Sequence, residues 1–304
     1  MKLLYYFVIY PISLLPLWFL YLITDIAYLI FLIFPYRKAV VRGNIQRSFS
    51  SLPSREHRKI ERNFYKHFTD LLAESIKNLS ISKKVLLKRM KVRNPELMES
   101  LFAQNKGVLL SSGHYNNWEW LITSQNILFK HQAMGIGMPL KNEFWNKKLT
   151  ERRARTGMKI VNPNNLKENL SLSYKEPLAI LILGDQAPGN SNKSYWMDFL
   201  NQNTAVQFGT EQLANEYDFA VVNFILHKVK RGYYEMELEL ITSNAKTLKW
   251  GEITEKHTRI LEKAIKDKPE FWIWSHKRWK REIPRNLEEL KIEQKAKFES
   301  KYRS

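Results

Sequence analysis

The sequence predicts an α/β fold: a central mixed sheet covered by helices, with an N-terminal membrane-anchoring helix. Three observations predict it. Short apolar runs end on Gly-bearing turns, segments of helical periodicity separate them, and a long uncharged stretch opens the chain.

The opening stretch, Leu3 to Thr24, holds twenty-two residues without a charge. As one helix it would reach roughly 33 Å, enough to span a bilayer. Asp25 interrupts it, and Ile26–Tyr36 is too short for a second span. Pro11 and Pro16 would kink a spanning helix, so an interfacial or re-entrant anchor is the alternative. A cleaved signal peptide fits less well, because the apolar region is long and lacks a small-residue cleavage site. Arg37, Lys38, Arg42 and Arg47 follow at once, which by the positive-inside rule puts the body of the protein in the cytoplasm. The expected division is an anchor at 1–36, a main domain at 37–284 and a charged tail at 285–304.

Ser54–Leu79 has helical apolar spacing at Phe64, Phe68, Leu71, Leu72 and Ile76, and Asn78 with Ser80–Ser82 breaks it. A basic helix at Lys83–Met90 follows. Then come a strand at Gly107–Ser112, a helix at Trp118–Leu128, a strand at Gln132–Gly137 and a helix at Asn142–Thr156. Leu178–Leu183 reads as a buried strand, Ala205–Tyr217 as a helix and Phe219–Leu226 as a strand. A hairpin through Lys230-Arg231-Gly232 leads to a half-exposed strand at Tyr233–Ile241. Ile253–Lys266 is a helix. Pro284–Ser304 is so charged that a solvated helix or a frayed end is expected.

The chemistry concentrates at the strand ends. Ser111-Ser-Gly-His-Tyr-Asn-Asn-Trp-Glu-Trp120 sets His114 five positions before Glu119. On one helix such residues diverge by roughly 140°. With His114 on the turn and Glu119 in the first helical turn they can converge. A carboxylate there would fix the imidazole tautomer and stabilise the imidazolium, which is how a general base deprotonates a hydroxyl. The bland alternative is a surface hydrogen-bonding histidine. A second strand runs into Gly184-Asp185-Gln186-Ala187-Pro188-Gly189, a place where α/β proteins build sites, although Asp185 can equally serve the turn alone.

Pro269 to Arg281 packs three tryptophans, His276 and the cations Lys277, Arg278, Lys280 and Arg281 together. Trp272, Trp274 and His276 alternate, so an extended segment would put them on one face. The cations can meet phosphates, or can snorkel off tryptophans that are simply core. Arg152, Arg153 and Arg155 crowd a helix ahead of Gly157, which suits a phosphorylated ligand or a solvated face.

Composition excludes several classes. There is no cysteine, hence no disulfide framework, thiolate nucleophile or cysteine zinc site. The histidines form no HExxH-type pair, so no metal is expected. The net charge of +19 fits nucleic acid, an anionic membrane or an acidic carrier protein as partner.

Gly113-His-x4-Glu119, Arg153-x-Arg-x-Gly157, Gly184-Asp-Gln-x-Pro-Gly189, Phe199-Leu-Asn with Thr204 and Phe208-Gly-Thr-Glu-x-Leu-Ala214, and Pro269-Glu-x-x-x-Trp-x-His-x-Arg-Trp-Lys280 occur in this order. This set resembles the bacterial lipid A biosynthesis (late) acyltransferase family, from about residue 1 to 281, within the wider His-x4-Asp/Glu glycerolipid acyltransferase superfamily. The resemblance implies a glycerolipid acyltransferase-like sheet and an O-acyltransferase in the inner membrane. It implies transfer of a fatty acyl group from an acyl thioester, with acyl carrier protein favoured over acyl-CoA, to a hydroxyl of a lipid A precursor.

His114 and Glu119 are then the expected catalytic pair. Arg153, Arg155, Asp185, Gln186, Gly209, Thr210, His276 and Arg278 are the expected substrate-binding residues, and no cofactor is expected beyond the thioester co-substrate. No Gly-x-Ser-x-Gly elbow is present, so direct attack without an acyl-enzyme is expected. Backbone amides near Gly113 or Gly184 are candidate oxyanion donors. Two departures from the family pattern stand out: Glu119 where Asp also occurs, and Ala187-Pro188 where many members carry a second acidic residue. An aminolipid or lysophospholipid O-acyltransferase is the alternative. A non-catalytic basic protein binding membrane or nucleic acid would leave the order of these motifs without a reason, so nucleic acid is not an expected partner.

Overall fold

The computed structural model describes residues 1–303. Seven strands form one sheet in the order β1 (Met90–Val92), β9 (Tyr233–Thr242), β8 (Ala220–Lys230), β2 (Val108–Ser112), β5 (Leu178–Leu183), β3 (Gln132–Ile136) and β4 (Lys159–Val161). All neighbours are parallel except the β8–β9 hairpin. A separate antiparallel hairpin joins β6 (Tyr195–Phe199) to β7 (Gln202–Val206).

The central strands are apolar on both faces because both faces are covered, as parallel sheets require. Val108 and Leu110 point into one core with Trp120, Leu121 and Tyr234. Leu109 points the other way, to Ile180, Val221 and Ile253. The helix Trp118–Leu128 covers the first face, while Gly209–Tyr217 and Glu252–Asp267 lie against the second. The alternation along β2 thus serves two cores.

The uncharged N-terminal stretch does not form one long helix. Lys2–Leu14 and Leu17–Ile33 meet at 117°, and no single helix is long and apolar enough to cross a membrane. The break has a simple cause. Leu15 and Pro16 adopt extended backbone, where proline removes an amide donor and disfavours helix in the residue before it. By length and composition the bent pair together could enter a bilayer. Phe7, Trp18, Ile26, Ile33 and Phe34 are exposed on it, whereas Leu17, Leu20 and Tyr21 are buried in the main core. Residues 1–36 are therefore packed onto the body as well as exposed.

Two polar clusters make that attachment. Arg231, on the β8–β9 turn, bridges Asp25 and Asp70, and Lys228 also reaches Asp70 at 2.8 Å. Beneath them the fully buried Glu74 accepts hydrogen bonds from Tyr21 Oη (2.6 Å), Tyr234 Oη (2.7 Å) and Asn117 Nδ2 (2.5 Å). Burial raises the Glu74 carboxyl above its usual range, and the two tyrosine hydroxyls oppose that. This one side chain ties the N-terminal helix, the sheet and the turn after β2 together.

Several expectations change. Ala205 and Val206 end β7 rather than begin a helix, which starts at Gly209. Met90 opens β1, since its side chain fills the core beside β9. Trp272 and Trp274 lie in turns with only one isolated bridge, Tyr115 to Trp272, and both indoles are core. The tail does form a helix, Leu287–Tyr302, and it is docked: Phe298 is buried against Phe208, and Arg303 donates to the carbonyls of Ala245 and Leu248.

Candidate active site

Strand register builds the site. β2 and β5 pair in parallel with Ser112 opposite Leu183. Two residues further along each strand, His114 and Asp185 emerge side by side at the carboxyl edge of the sheet, where open α/β sheets place their ligands. His114 Nδ1 lies 2.6 Å from Asp185 Oδ1. Asp185 Oδ2 accepts the His114 backbone N–H at 2.9 Å and the Trp272 indole N–H at 2.8 Å. Gly113 permits this approach, because a Cβ there would stand 2.9 Å from the Asp185 Cβ and 2.6 Å from Leu261 Cδ2.

Asp185 is buried, and burial alone would raise its carboxyl. The charge of His114 and the hydrogen bonds from His114 and Trp272 outweigh that and hold it down to about 2. An ionised Asp185 can only accept, so His114 donates to it through Nδ1, and in the neutral ring Nε2 then keeps its lone pair. Nε2 faces Gln186 Nε2 at 3.4 Å. The Trp118 ring packs against the imidazole with centroids 5.1 Å apart. This is a histidine oriented by a carboxylate, with its free nitrogen available as a base.

The carboxylate bonded to His114 is therefore Asp185, and the expected His114–Glu119 pairing is corrected. Glu119 turns to the helix Glu143–Ala154, where it meets Arg152 Nη2 at 2.6 Å and Arg153 Nη2 at 2.5 Å. Burial would raise its carboxyl, but the two arginines hold it below the usual carboxylate range. Glu119→Gln should consequently destabilise the fold by about 3–5 kcal/mol, the scale for breaking a buried ion pair from one side. Chemical denaturation of the two proteins measures it, and an unchanged midpoint would show that the clamp is dispensable.

His114 Nε2 opens on a cavity of about 320 Å³. Ile122, Ile136, Ile160, Leu181 and Leu183 supply apolar walls, while Gln186, Gln207 and Arg153 supply the polar ones. Arg153 spends Nε and Nη2 on Glu119, leaving Nη1 beside Gly137 at the cavity.

Of the expected substrate-binding residues, Arg153 and Gln186 line this cavity, and Asp185 stands behind His114. Arg155 lies elsewhere, donating to the Ile81 carbonyl. Gly209 and Thr210 start a helix, and Gln207, two residues before it, is the one in the wall. His276 and Arg278 are not in the wall either. Arg278 is buried, its guanidinium pushed down to about 10 by burial while the charge of Asp185 works against the fall. Burial likewise lowers His276 to about 4. The Gly184 amide donates to the Ser112 carbonyl and is not free for an oxyanion.

Sequence reasoning missed Trp118, Gln207 and the indole donor role of Trp272. Trp118 and Trp272 did stand inside motifs already singled out, and Gln207 adjoins one, but no spacing reveals where an indole N–H points.

The family model described as bacterial lipid A biosynthesis acyltransferase matches residues 1–281. The chain belongs to that family. It is an acyltransferase, and the His114–Asp185 site sits within the matched residues. No curated protein matches this acyltransferase significantly.

Proposed function

We propose that this acyltransferase moves a fatty acyl chain from an acyl thioester to a hydroxyl of a lipid A precursor, working at the inner membrane with its body in the cytoplasm. The observation that carries the reading is His114, its Nδ1 held by Asp185, lining a cavity with apolar walls and one cation. His114 Nε2 takes the proton of the acceptor hydroxyl as its oxygen bonds to the thioester carbonyl carbon. The carbonyl π pair moves onto oxygen, and Arg153 Nη1 is the nearest charged donor in the cavity to receive it. Collapse breaks the C–S bond, and the imidazolium returns its proton to the departing thiolate. The ester forms in one displacement, with Asp185 ionised throughout.

The exposed apolar residues of the bent N-terminal pair support attachment to a membrane. The net charge of +19 favours the strongly acidic acyl carrier protein over acyl-CoA as donor. KM for a carrier-bound donor should then rise several-fold as the screening length falls from about 30 Å at 0.01 M salt to about 8 Å at 0.15 M. A salt-independent KM would point to acyl-CoA.

The test of the reaction is transfer of a labelled acyl group to a lipid A precursor in detergent, with the product read by mass spectrometry. An acyloxyacyl product supports the proposal. Acylation of an aminolipid or lysophospholipid, with the lipid A precursor untouched, would overturn the acceptor while leaving the chemistry.

A further inference from the structure

A second cavity, of about 500 Å³, lies between the bent N-terminal helices, the helix Ser54–Lys77 and the helix Glu143–Ala154. Its walls are chiefly apolar, among them Ile9, Leu72, Ile76, Leu79, Trp145 and Leu149. It shares no lining residue with the His114 cavity, so it is not the place of the reacting acyl carbonyl. Tyr5, Leu79, Lys148 and Arg152 also line a neighbouring pocket of about 320 Å³ that contains Arg155. An apolar groove thus adjoins one lined by three cations, Lys148, Arg152 and Arg155, and a single acid, Glu151.

The charges there do not balance. Lys148 is matched by Glu151 at 2.8 Å, and Glu119 serves both Arg152 and Arg153. Among the described residues Arg155 has no carboxylate: its Nη1 donates to the Ile81 carbonyl, and its Nε and Nη2 are buried without an acceptor. Burial, and then the like charge of Arg152, press the Arg155 guanidinium below its usual value, as expected of a cation lacking a counter-ion. Both hollows border the helix pair that carries the exposed apolar face, including Leu3, Phe7 and Trp18.

We propose that this paired groove is a binding site for an anionic glycerophospholipid of the bilayer, one acyl chain lying along Ile76, Trp145 and Leu149 and the phosphate resting near Lys148 and Arg155. Alkyl chains fill apolar grooves open to the membrane side, and a phosphate supplies the negative charge that Arg155 lacks. A zwitterionic lipid would offer the same chain with a cation beside the phosphate, and so would bind less well. Arg152 is shared between the groove and Glu119, so a lipid in the groove also packs against the clamp that holds Arg153.

Trp145 makes the site readable without any acyl transfer, so the outcome is independent of the reaction proposed above. The full chain in maltoside micelles would be titrated with phosphatidylglycerol brominated on its acyl chains, and tryptophan quenching followed. Trp145→Phe should remove part of the quenching, while Trp18→Phe removes only the part from the exposed helix. Brominated phosphatidylcholine should need at least a threefold higher fraction for the same Trp145 quenching. Lys148→Glu combined with Arg155→Gln should erase that preference. Unchanged quenching in Trp145→Phe would overturn the groove as a lipid site, and equal quenching by the two lipids in the unmodified protein would overturn the phosphate cradle.

Discussion

Replacing His114 with alanine should lower kcat at least a hundredfold while the protein remains folded. Among the described residues the imidazole is the only side chain lining the cavity that can act as a general base, and general-base catalysis contributes about 10²- to 10⁴-fold. Its removal leaves Asp185 with the Trp272 indole donor and the backbone N–H of residue 114, so the turn keeps two of its three bonds. Near-normal turnover by a His114→Ala protein with an unchanged circular dichroism spectrum would show that the base lies elsewhere. KM for the donor should change little, because the ring acts on the acceptor proton.

Asp185→Asn should be nearly as damaging, for a reason of hydrogen-bond direction. Asp185 Oδ2 accepts from two N–H groups, and both need an oxygen there. An asparagine satisfying them must place its oxygen at that position and present its NH2 to His114 Nδ1. The imidazole then accepts at Nδ1 and carries its proton on Nε2, the wrong tautomer for a base. Loss of kcat by about 10²- to 10⁴-fold is expected, with stability less affected than by Asp185→Ala. Nitrogen-15 NMR of the histidine ring reads the tautomer directly. An unchanged Nδ1–H form in an active Asp185→Asn protein would refute the orienting role of Asp185.

The pH sign follows from the same pair. Asp185 has its carboxyl lowered from 3.8 to about 2. Its ionic contribution is therefore complete above the unfolded value and is lost as pH falls toward about 2. The native protein should accordingly lose stability over that acid interval more steeply than Asp185→Asn, measured by thermal melts at each pH.

Much of the sheet was legible because β2 and β5 are apolar on both faces and end on glycine, a pattern that few other elements produce. The long helices were legible from their periodicity. The short edge strands β1 and β4, of three residues each, carry too little pattern to separate them from loops. The β6–β7 hairpin escaped notice because Tyr195–Val206 mixes apolar and polar residues without clean alternation.

At the site, both strand-end turns were recognised as chemical, but the wrong carboxylate was paired with His114. Five-residue spacing made Glu119 the near candidate in sequence. The true contact depends on the register between strands that lie seventy-one residues apart, and nothing local encodes it. Glu119 was drawn off by Arg152 and Arg153, whose helix packs on its own only in three dimensions. The cations near the tryptophans fit either phosphate contact or snorkelling off a tryptophan core, and sequence does not show that Arg278 itself is buried beside that core.

Glu74 has a practical consequence for anyone wishing to handle this protein without detergent. Deleting the first three dozen residues would seem a neutral way to gain solubility, since their outer face is apolar. It would also delete Tyr21, one of the three donors on Glu74, and Asp25, one of the two acids on Arg231. The shortened chain would carry a partly uncompensated carboxyl beneath the sheet, bonded through Asn117 to the segment that ends at Glu119. Its loss of turnover could then be mistaken for loss of a membrane requirement, when the damage is to the floor of the catalytic turn itself.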